Sequence, residues 1–214
     1  MKDIVICGAG GFAREIACVI NAINNKEQKW NFLGFIEADP ALKGTSNEYG
    51  SIIGNDDELN NWDKPIDVVI GVGSPLLLKK IVEKLTNPNI SFPNVISPNA
   101  CFLDIENVKF GKGNVIMPNT LISSNVTFGN FNYLNVFGQI GHDACLGNYN
   151  IAMPSVNLSG GVIIGDCNMF GVKSTILQYK KVGNNVSLTP SSVLMRNGKD
   201  NMIYMGNPAK KITL

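Results

Sequence analysis

The sequence is short of the side chains that bind metals and staple folds. Its 214 residues hold a single histidine, His142. The five cysteines, Cys7, Cys18, Cys101, Cys145 and Cys167, are odd in number and scattered, and no C-x-x-C occurs. One imidazole and no cysteine pair give a zinc site little to build on, so no metal is expected. The same cysteine usage argues for reduced thiols in a cytoplasmic protein rather than a disulfide framework. An excess of charge is missing as well: 18 basic residues stand against 17 acidic ones, for a net +1. No basic face or tail stands out, so neither nucleic acid nor anionic membrane is an expected partner. No apolar run approaches the ~20 residues of a membrane span, so no membrane insertion is expected. The opening MKDIVICGAGG has too short an apolar stretch for a signal peptide.

What is present is a repeat. Every sixth residue from Phe110 is apolar: Phe110, Ile116, Ile122, Phe128, Leu134, Ile140, Leu146, Ala152, Leu158, Ile164, Phe170, Ile176, Val182, Leu188 and Leu194. With 44% hydrophobic residues, chance gives such a run on the order of 1 in 10⁵ even in the best of six registers. The fourth residue after each anchor is mostly small or short, as at Thr120, Val126, Gly138, Ala144, Val156, Val162, Ser174, Val186 and Ser192. A helix needs a period of 3.6 and an ordinary strand a period of 2, so neither explains sixes. A hexapeptide repeat with one inward anchor predicts a parallel β-helix, three hexapeptides to each triangular coil. After Leu194 the period ends, and a cap over the open end is expected.

The first 96 residues read differently. Short apolar strands at Ile4–Cys7, Phe32–Glu37, Ile52–Gly54 and Val68–Gly71 alternate with helical stretches from Arg14 to Asn24 and from Pro75 to Leu85. This β-α-β alternation predicts a small Rossmann-like domain with an open, mostly parallel sheet. Pro93, Pro98, Asn94 and Asn99 mark the passage to the repeat, so the expected domains are residues 1–96 and 97–214. Between the first strand and first helix, Gly8-x-Gly10-x-x-Ala13 fits the G-x-G-x-x-G/A fingerprint in its required context. Glycines let backbone N–H groups approach a phosphate, and a helix N-terminus favours its charge. Glu37, at the end of the next strand, is placed to bond a ribose or base. The motif is weak alone, because a tight strand-to-helix turn needs glycine anyway. A full dinucleotide fold takes two βαβαβ halves, so a mononucleotide or nucleotide sugar fits this short domain better than NAD.

His142 sits two residues after the anchor Ile140, a position that should face outward from the prism. Asp143 follows it, and a carboxylate beside the ring can fix its tautomer and stabilise the imidazolium. Histidine is a natural general base for an amine or hydroxyl nucleophile. Cys145, three residues on, is a rival nucleophile that would need a base within hydrogen-bond reach. An inert surface histidine is the plain alternative.

The repeats, "GHDACLG", "LSGGVIIGD" and the terminal "GNPAKKI" resemble the left-handed β-helix acyltransferases. With "ICGAGGFAREI", "GFIEADP" and "VIGVGSPLLLKKI", the chain is similar over nearly its whole length to sugar acetyltransferases of the sialic-acid O-acetyltransferase and bacillosamine-pathway type. That resemblance implies transfer of acetyl from acetyl-CoA to a nucleotide-activated or free sugar, in surface polysaccharide or glycan biosynthesis. It implies homotrimers with active sites between neighbouring prisms. It places the catalytic histidine and its acid on His142 and Asp143, and the nucleotide-sugar contacts on Gly8, Ala9, Gly10, Glu37, Gly73 and Ser74. CoA contacts fall on Gly171, Val172 and Pro190, with Ile151 near the acetyl group, where amino-sugar members carry a second histidine. The expected reaction is direct N-acetylation of a nucleotide-linked amino sugar. O-acetylation of sialic acid or a related sugar is the alternative within the class. A catalytically silent sugar-nucleotide-binding partner of another enzyme is the alternative outside it.

Overall fold

The computed structural model describes residues 1–213. The chain divides into two compact units, the first ending at Pro98 and the second beginning at Asn99.

The first unit is a parallel sheet with helices. Strand β1 (Lys2–Cys7) leads through the glycine loop into helix α1 (Gly11–Lys26). The helix buries Ala13, Ile16, Ala17, Val19 and Ile20, an apolar stripe of helical period. It runs one residue past Asn24-Asn25, the expected end. Asn24 instead ties the last turns to the next strand: its Nδ2 donates to the Trp30 carbonyl at 2.7 Å, and its Oδ1 accepts from the Trp30 N–H at 3.0 Å. Strand β2 (Trp30–Ile36) follows, then a hairpin of β3 (Ser46–Asn47) and β4 (Gly50–Gly54). Helix α2 (Asp56–Asn60) starts on a capping box, in which the Asn55 side chain accepts from two backbone N–H groups and Glu58 returns to the Asn55 N–H. Strand β5 (Ile66–Ile70) is buried along its whole length, as expected where both faces of a parallel sheet are covered. Helix α3 (Pro75–Lys84) and strand β6 (Ile90–Ser91) complete the unit.

The strand order is β3-β4-β2-β1-β5-β6. The chain moves outward from β1 through β2 to β4, then returns to lay β5 on the other side of β1. The carboxyl ends of β1 and β5 therefore part at a switch point, where open α/β sheets form their binding crevice. Gly71, just past β5, packs against α1: a Cβ there would lie 2.6 Å from the Ala13 Cβ. Ala13 thus fills the small third position of the fingerprint for close helix–strand packing.

The second unit is a left-handed parallel β-helix. Two-residue strands fall in threes. One face stacks Val115–Ile116, Tyr133–Leu134, Ile151–Ala152, Met169–Phe170 and Ser187–Leu188. The second stacks Cys101–Phe102, Leu121–Ile122, Gln139–Ile140, Asn157–Leu158, Thr175–Ile176 and Val193–Leu194, and the third Lys109–Phe110, Thr127–Phe128, Cys145–Leu146, Ile163–Ile164 and Lys181–Val182. Fourteen of the fifteen anchors are buried. Phe110, the exception, is half-buried in the irregular first coil, where Leu121 pairs with Cys101, twenty residues back, instead of the usual eighteen. A 3-10 turn at Ile105–Asn107 takes up the excess.

Each corner turns on one residue of positive φ. From Asn119 to Ser191 these recur every six positions, and most are not glycine: Phe131, Phe137, Asp143, Tyr149 and Tyr179 all lie near +60°. Side chains in this region cost roughly 1–2 kcal/mol per residue, so other interactions must impose it. One is a column of asparagines inside the prism. Asn114, Asn132, Asn150 and Asn168, one to a coil, are no more than 2% exposed. The Oδ1 of each of the first three accepts from the backbone N–H and the Nδ2 of the next, as in Asn150 on Asn132 at 3.2 and 2.9 Å, and that of Asn168 accepts from the Val186 N–H at 2.7 Å. The second amide proton reaches a corner carbonyl, from Asn132 to Gly147 and from Asn150 to Gly165, each at 2.8 Å. At the far end the hairpin Ile203–Gly206 with Ala209–Ile212 pairs on Ser187–Leu188, and its last strand is antiparallel.

Asn150→Ala should take the asparagine side chain from three polar groups, the Asn168 N–H and Nδ2 and the Gly165 carbonyl, while the Asn132 Oδ1 keeps the backbone N–H of residue 150. At about 1–3 kcal/mol for each unsatisfied group, with partial relaxation, the loss should be on the order of 3 kcal/mol. Urea denaturation measures it, and a loss within 1 kcal/mol would remove the column from the account of stability.

Candidate functional site

Two sets of residues carry chemistry, one in each unit. In the first, the loops after β1, β2 and β5 bring the expected nucleotide-binding residues to the switch point. Gly8 takes φ +97°, and its N–H donates to the Ile36 carbonyl at 2.7 Å. This glycine is required by the turn. Gly10 is not: its φ is −70°, and a Cβ built on it meets nothing within 4 Å. Gly73 likewise opens onto free space. The glycine pattern therefore splits into one position the fold demands and two that leave backbone uncovered beside the helix N-termini.

Glu37 reaches across to the loop, its Oε1 accepting from the Ala9 N–H at 2.6 Å. The carboxylate thus shapes the glycine loop itself, a role the strand-end position alone did not suggest. Ser74 is the N-cap of α3, with its hydroxyl 3.5 Å from the Leu77 N–H. Below the loops lies a cleft of about 320 Å³ lined by Gly8, Glu37, Ala38, Asp56, Lys80 and Lys84, among others. Lys84 binds Asp56 at 3.1 Å, and that contact holds its ammonium above the usual lysine range. Cys7 also lines the cleft. Burial, aided by the charges of Asp56 and Glu37, pushes its thiol far up, so it stays protonated and is no nucleophile.

In the second unit His142 and Asp143 stand on the corner between the second and third faces. The histidine side chain is 45% exposed and the aspartate 55%. His142 Nδ1 lies 2.7 Å from Asp143 Oδ2. Asp143 is the positive-φ residue of its corner. Its Oδ1 accepts from Asn125 Nδ2 at 2.7 Å. The imidazole first, and the Asn125 amide second, hold the Asp143 carboxyl below the usual aspartate range. The paired carboxylate is therefore favoured above that range and released only as pH falls through the depressed value. The ring lies over Gly160, where an added Cβ would be 2.6 Å from Nε2. At the next residue, Gly161, the backbone N–H donates to the His142 carbonyl at 2.7 Å, and the ring of Tyr179, 66% exposed, covers its Cα.

Asn125 and Gly160 were not among the residues singled out from sequence. The signal that finds them is the coil, since Asn125 is eighteen residues before Asp143 and Gly160 eighteen after His142. Cys145 is not at the corner: it is exposed on the third face, in the strand between Thr127 and Ile163. Gly171 and Pro190 do meet, since a Cβ on Gly171 would lie 2.5 Å from the Pro190 nitrogen. With Val172 they form the corner between the first and second faces, so one chain sets the expected CoA contacts and His142 on different corners. Ile151 lies on the first face, opposite the histidine corner, and is only 3% exposed. Its expected place by the acetyl group is not beside His142 within one chain. Among the described residues no group of three or more His, Cys, Asp or Glu side chains is arranged to hold a metal, and no helix is long and apolar enough to cross a membrane.

Gly8→Ala should cost about 1–3 kcal/mol, as strain at a position held at positive φ, whereas Gly10→Ala should leave thermal stability nearly unchanged. Melting of the two variants side by side tests this split.

Residues 3–85 match the family model described as the PglD N-terminal domain. Solved structures share the fold of both units. The acetyltransferase domain of PglB from Neisseria gonorrhoeae superposes with a TM-score of 0.88 at 23% identity, over 99% of this chain and 100% of that one. PerB from Caulobacter crescentus, solved with CoA and GDP-perosamine, gives 0.89 at 23% identity, over 100% of this chain and 98% of that one. The perosamine N-acetyltransferase of that organism has also been solved with one histidine replaced by asparagine or by alanine. WeeI from Acinetobacter baumannii gives 0.86 at 23% identity, over 99% and 100% of the two chains.

Proposed function

We propose that this protein is an acyltransferase that moves an acetyl group from acetyl-CoA to the amine of a nucleotide-activated amino sugar. The observation that carries the reading is the His142–Asp143 pair on an outward corner of the β-helix. An ionised carboxylate only accepts hydrogen bonds, so the proton between the two sits on Nδ1 and Nε2 keeps its lone pair. That nitrogen removes the proton from the acceptor amine as the amine attacks the thioester carbonyl. The tetrahedral intermediate then collapses, the C–S bond breaks, and the imidazolium returns the proton to the departing CoA thiolate. Asp143 stabilises the imidazolium in between. A backbone N–H at the corner supports the developing oxyanion, and holding both substrates together supplies much of the acceleration.

The nucleotide belongs to the first unit. Its phosphates are taken at the loop of Gly8, Ala9 and Gly10, where Gly8 and Ala9 hold the turn and Gly10 leaves its backbone open, with Gly73 and Ser74 on the adjoining loop. Glu37 keeps one oxygen for a ribose or base hydroxyl while the other holds the loop. The family match of residues 3–85, together with a neighbour solved with GDP-perosamine, supports a nucleotide-linked acceptor over a free sugar. N-acetylation is preferred over O-acetylation because that neighbour is named an N-acetyltransferase. CoA is assigned to the corner of Gly171, Val172 and Pro190. Ile151, buried and without a polar group, gives the acetyl carbonyl no hydrogen bond, so the donor is held without a second histidine. A homotrimer in the cytoplasm completes the reading, and the exposed Phe137, Ile163 and Met195 on the β-helix are apolar surface that such an assembly would cover.

The test is incubation with acetyl-CoA and a panel of UDP- and GDP-linked amino sugars, following free thiol. His142→Ala removes a part-exposed ring that lies on Gly160 and no buried anchor, so melting should change little while turnover falls ~10²–10⁴-fold, the usual contribution of a general base. A variant that keeps more than about a tenth of the rate places the base elsewhere. Light scattering should give three chains per particle, and a monomer at micromolar concentration would end the trimer reading.

A further inference from the structure

We infer that Asn125 is a positioning residue for His142: its amide holds the Asp143 carboxylate in the orientation that keeps the imidazole proton on Nδ1. The inference rests on the reading of His142 as the base. Three groups, on two successive coils, form the chain. Asn125 Nδ2 donates to Asp143 Oδ1 at 2.7 Å, and Asp143 Oδ2 faces His142 Nδ1 at 2.7 Å. The amide has only one sensible orientation, since its oxygen turned toward the carboxylate would set two acceptors against each other. Both carboxylate oxygens are thereby occupied, one by each partner. The depressed Asp143 pKa follows from those two bonds, and it keeps the group an acceptor throughout the neutral range.

Exposure is what makes Asn125 necessary. Asp143 is more than half exposed and stands at the tip of a corner. A solvated carboxylate there rotates among several staggered positions. Only one of them meets Nδ1, and an exposed ion pair is too weak to select it alone. The stack supplies the missing restraint, because the positive-φ residue one coil back is an asparagine, at +56°, directly beneath Asp143 at +58°. On the other side Gly160 is buried and presents no side chain, so the ring lies flat against the following coil. The imidazole is thus fixed from below by hydrogen bonds and from above by contact, with Nε2 as its free nitrogen.

The chain's single histidine makes this measurable without a substrate. Imidazole ¹⁵N spectra of the protein should contain one ring, whose neutral form is the Nδ1–H tautomer. Asn125→Gly deletes the amide while a positive φ stays accessible to the turn. In that variant the spectrum should move to a mixture of the two tautomers. Turnover should fall about tenfold, the scale of one charge-assisted hydrogen bond, with the KM for acetyl-CoA unchanged. Asn125→Asp, which also tolerates this backbone but offers no donor, should do the same if the glycine variant folds poorly. An unaltered Nδ1–H spectrum in either folded variant overturns the inference. A shifted spectrum in a protein that acetylates no amino sugar supports the positioning role and defeats the proposed function instead.

Discussion

The hydrogen-bonded asparagine column is the interaction on which the rest of the β-helix depends. Hydrophobic anchors alone do not fix how one coil sits on the next, because apolar contact is non-directional. A buried amide is directional and expensive to leave unpaired. Asn114, Asn132, Asn150 and Asn168 therefore admit one stacking register. A second, more exposed column runs in the opposite sense: Asn130 donates to Asn148, which donates to Asp166, whose N–H in turn reaches Asn184. Both columns sit beside the corner between the third and first faces. The corners whose positive φ would otherwise be costly are held because the coils above and below allow no other path. His142, Asp143 and Asn125 inherit their alignment from that register.

The first unit solves a different problem. It must leave backbone polar groups open at one place without unravelling the sheet around them. It does so by separating the glycines. Gly8 and Gly71 are consumed by the turn and by helix packing, where added side chains meet backbone or Ala13. Gly10 and Gly73 stand free. The Glu37 carboxylate, bonded to the Ala9 N–H, holds the loop in shape at the mouth of the cleft.

Much of this was legible in the residues. The six-residue period gave the β-helix, its inward anchors and the outward face of His142. The alternation before Pro93 gave the parallel sheet and the glycine loop. What escaped was whatever repeats at eighteen rather than six. Asparagine at 114, 132, 150 and 168 does not look like core, since each is polar taken singly, and only its recurrence at every third hexapeptide marks a ladder. The same interval hides Asn125 and Gly160, which are remote from His142 in sequence and adjacent in the stack. The burial of Ile151 was also invisible, because the outward position of a strand is exposed on the second and third faces, at Gln139 and Cys145, yet covered on the first at Tyr133 and Ile151.

Length variation in such a stack is quantised. The chain returns above its starting point only after eighteen residues. Removing or duplicating one whole coil would shorten or lengthen the prism and keep every corner in line. An insertion of six would rotate all that follows by a third of a turn, carrying a glycine–proline corner to where the histidine corner belongs and parting Asn132 from Asn150. In lineages of this architecture, whole coils are the unit in which the domain can gain or lose length while its site survives.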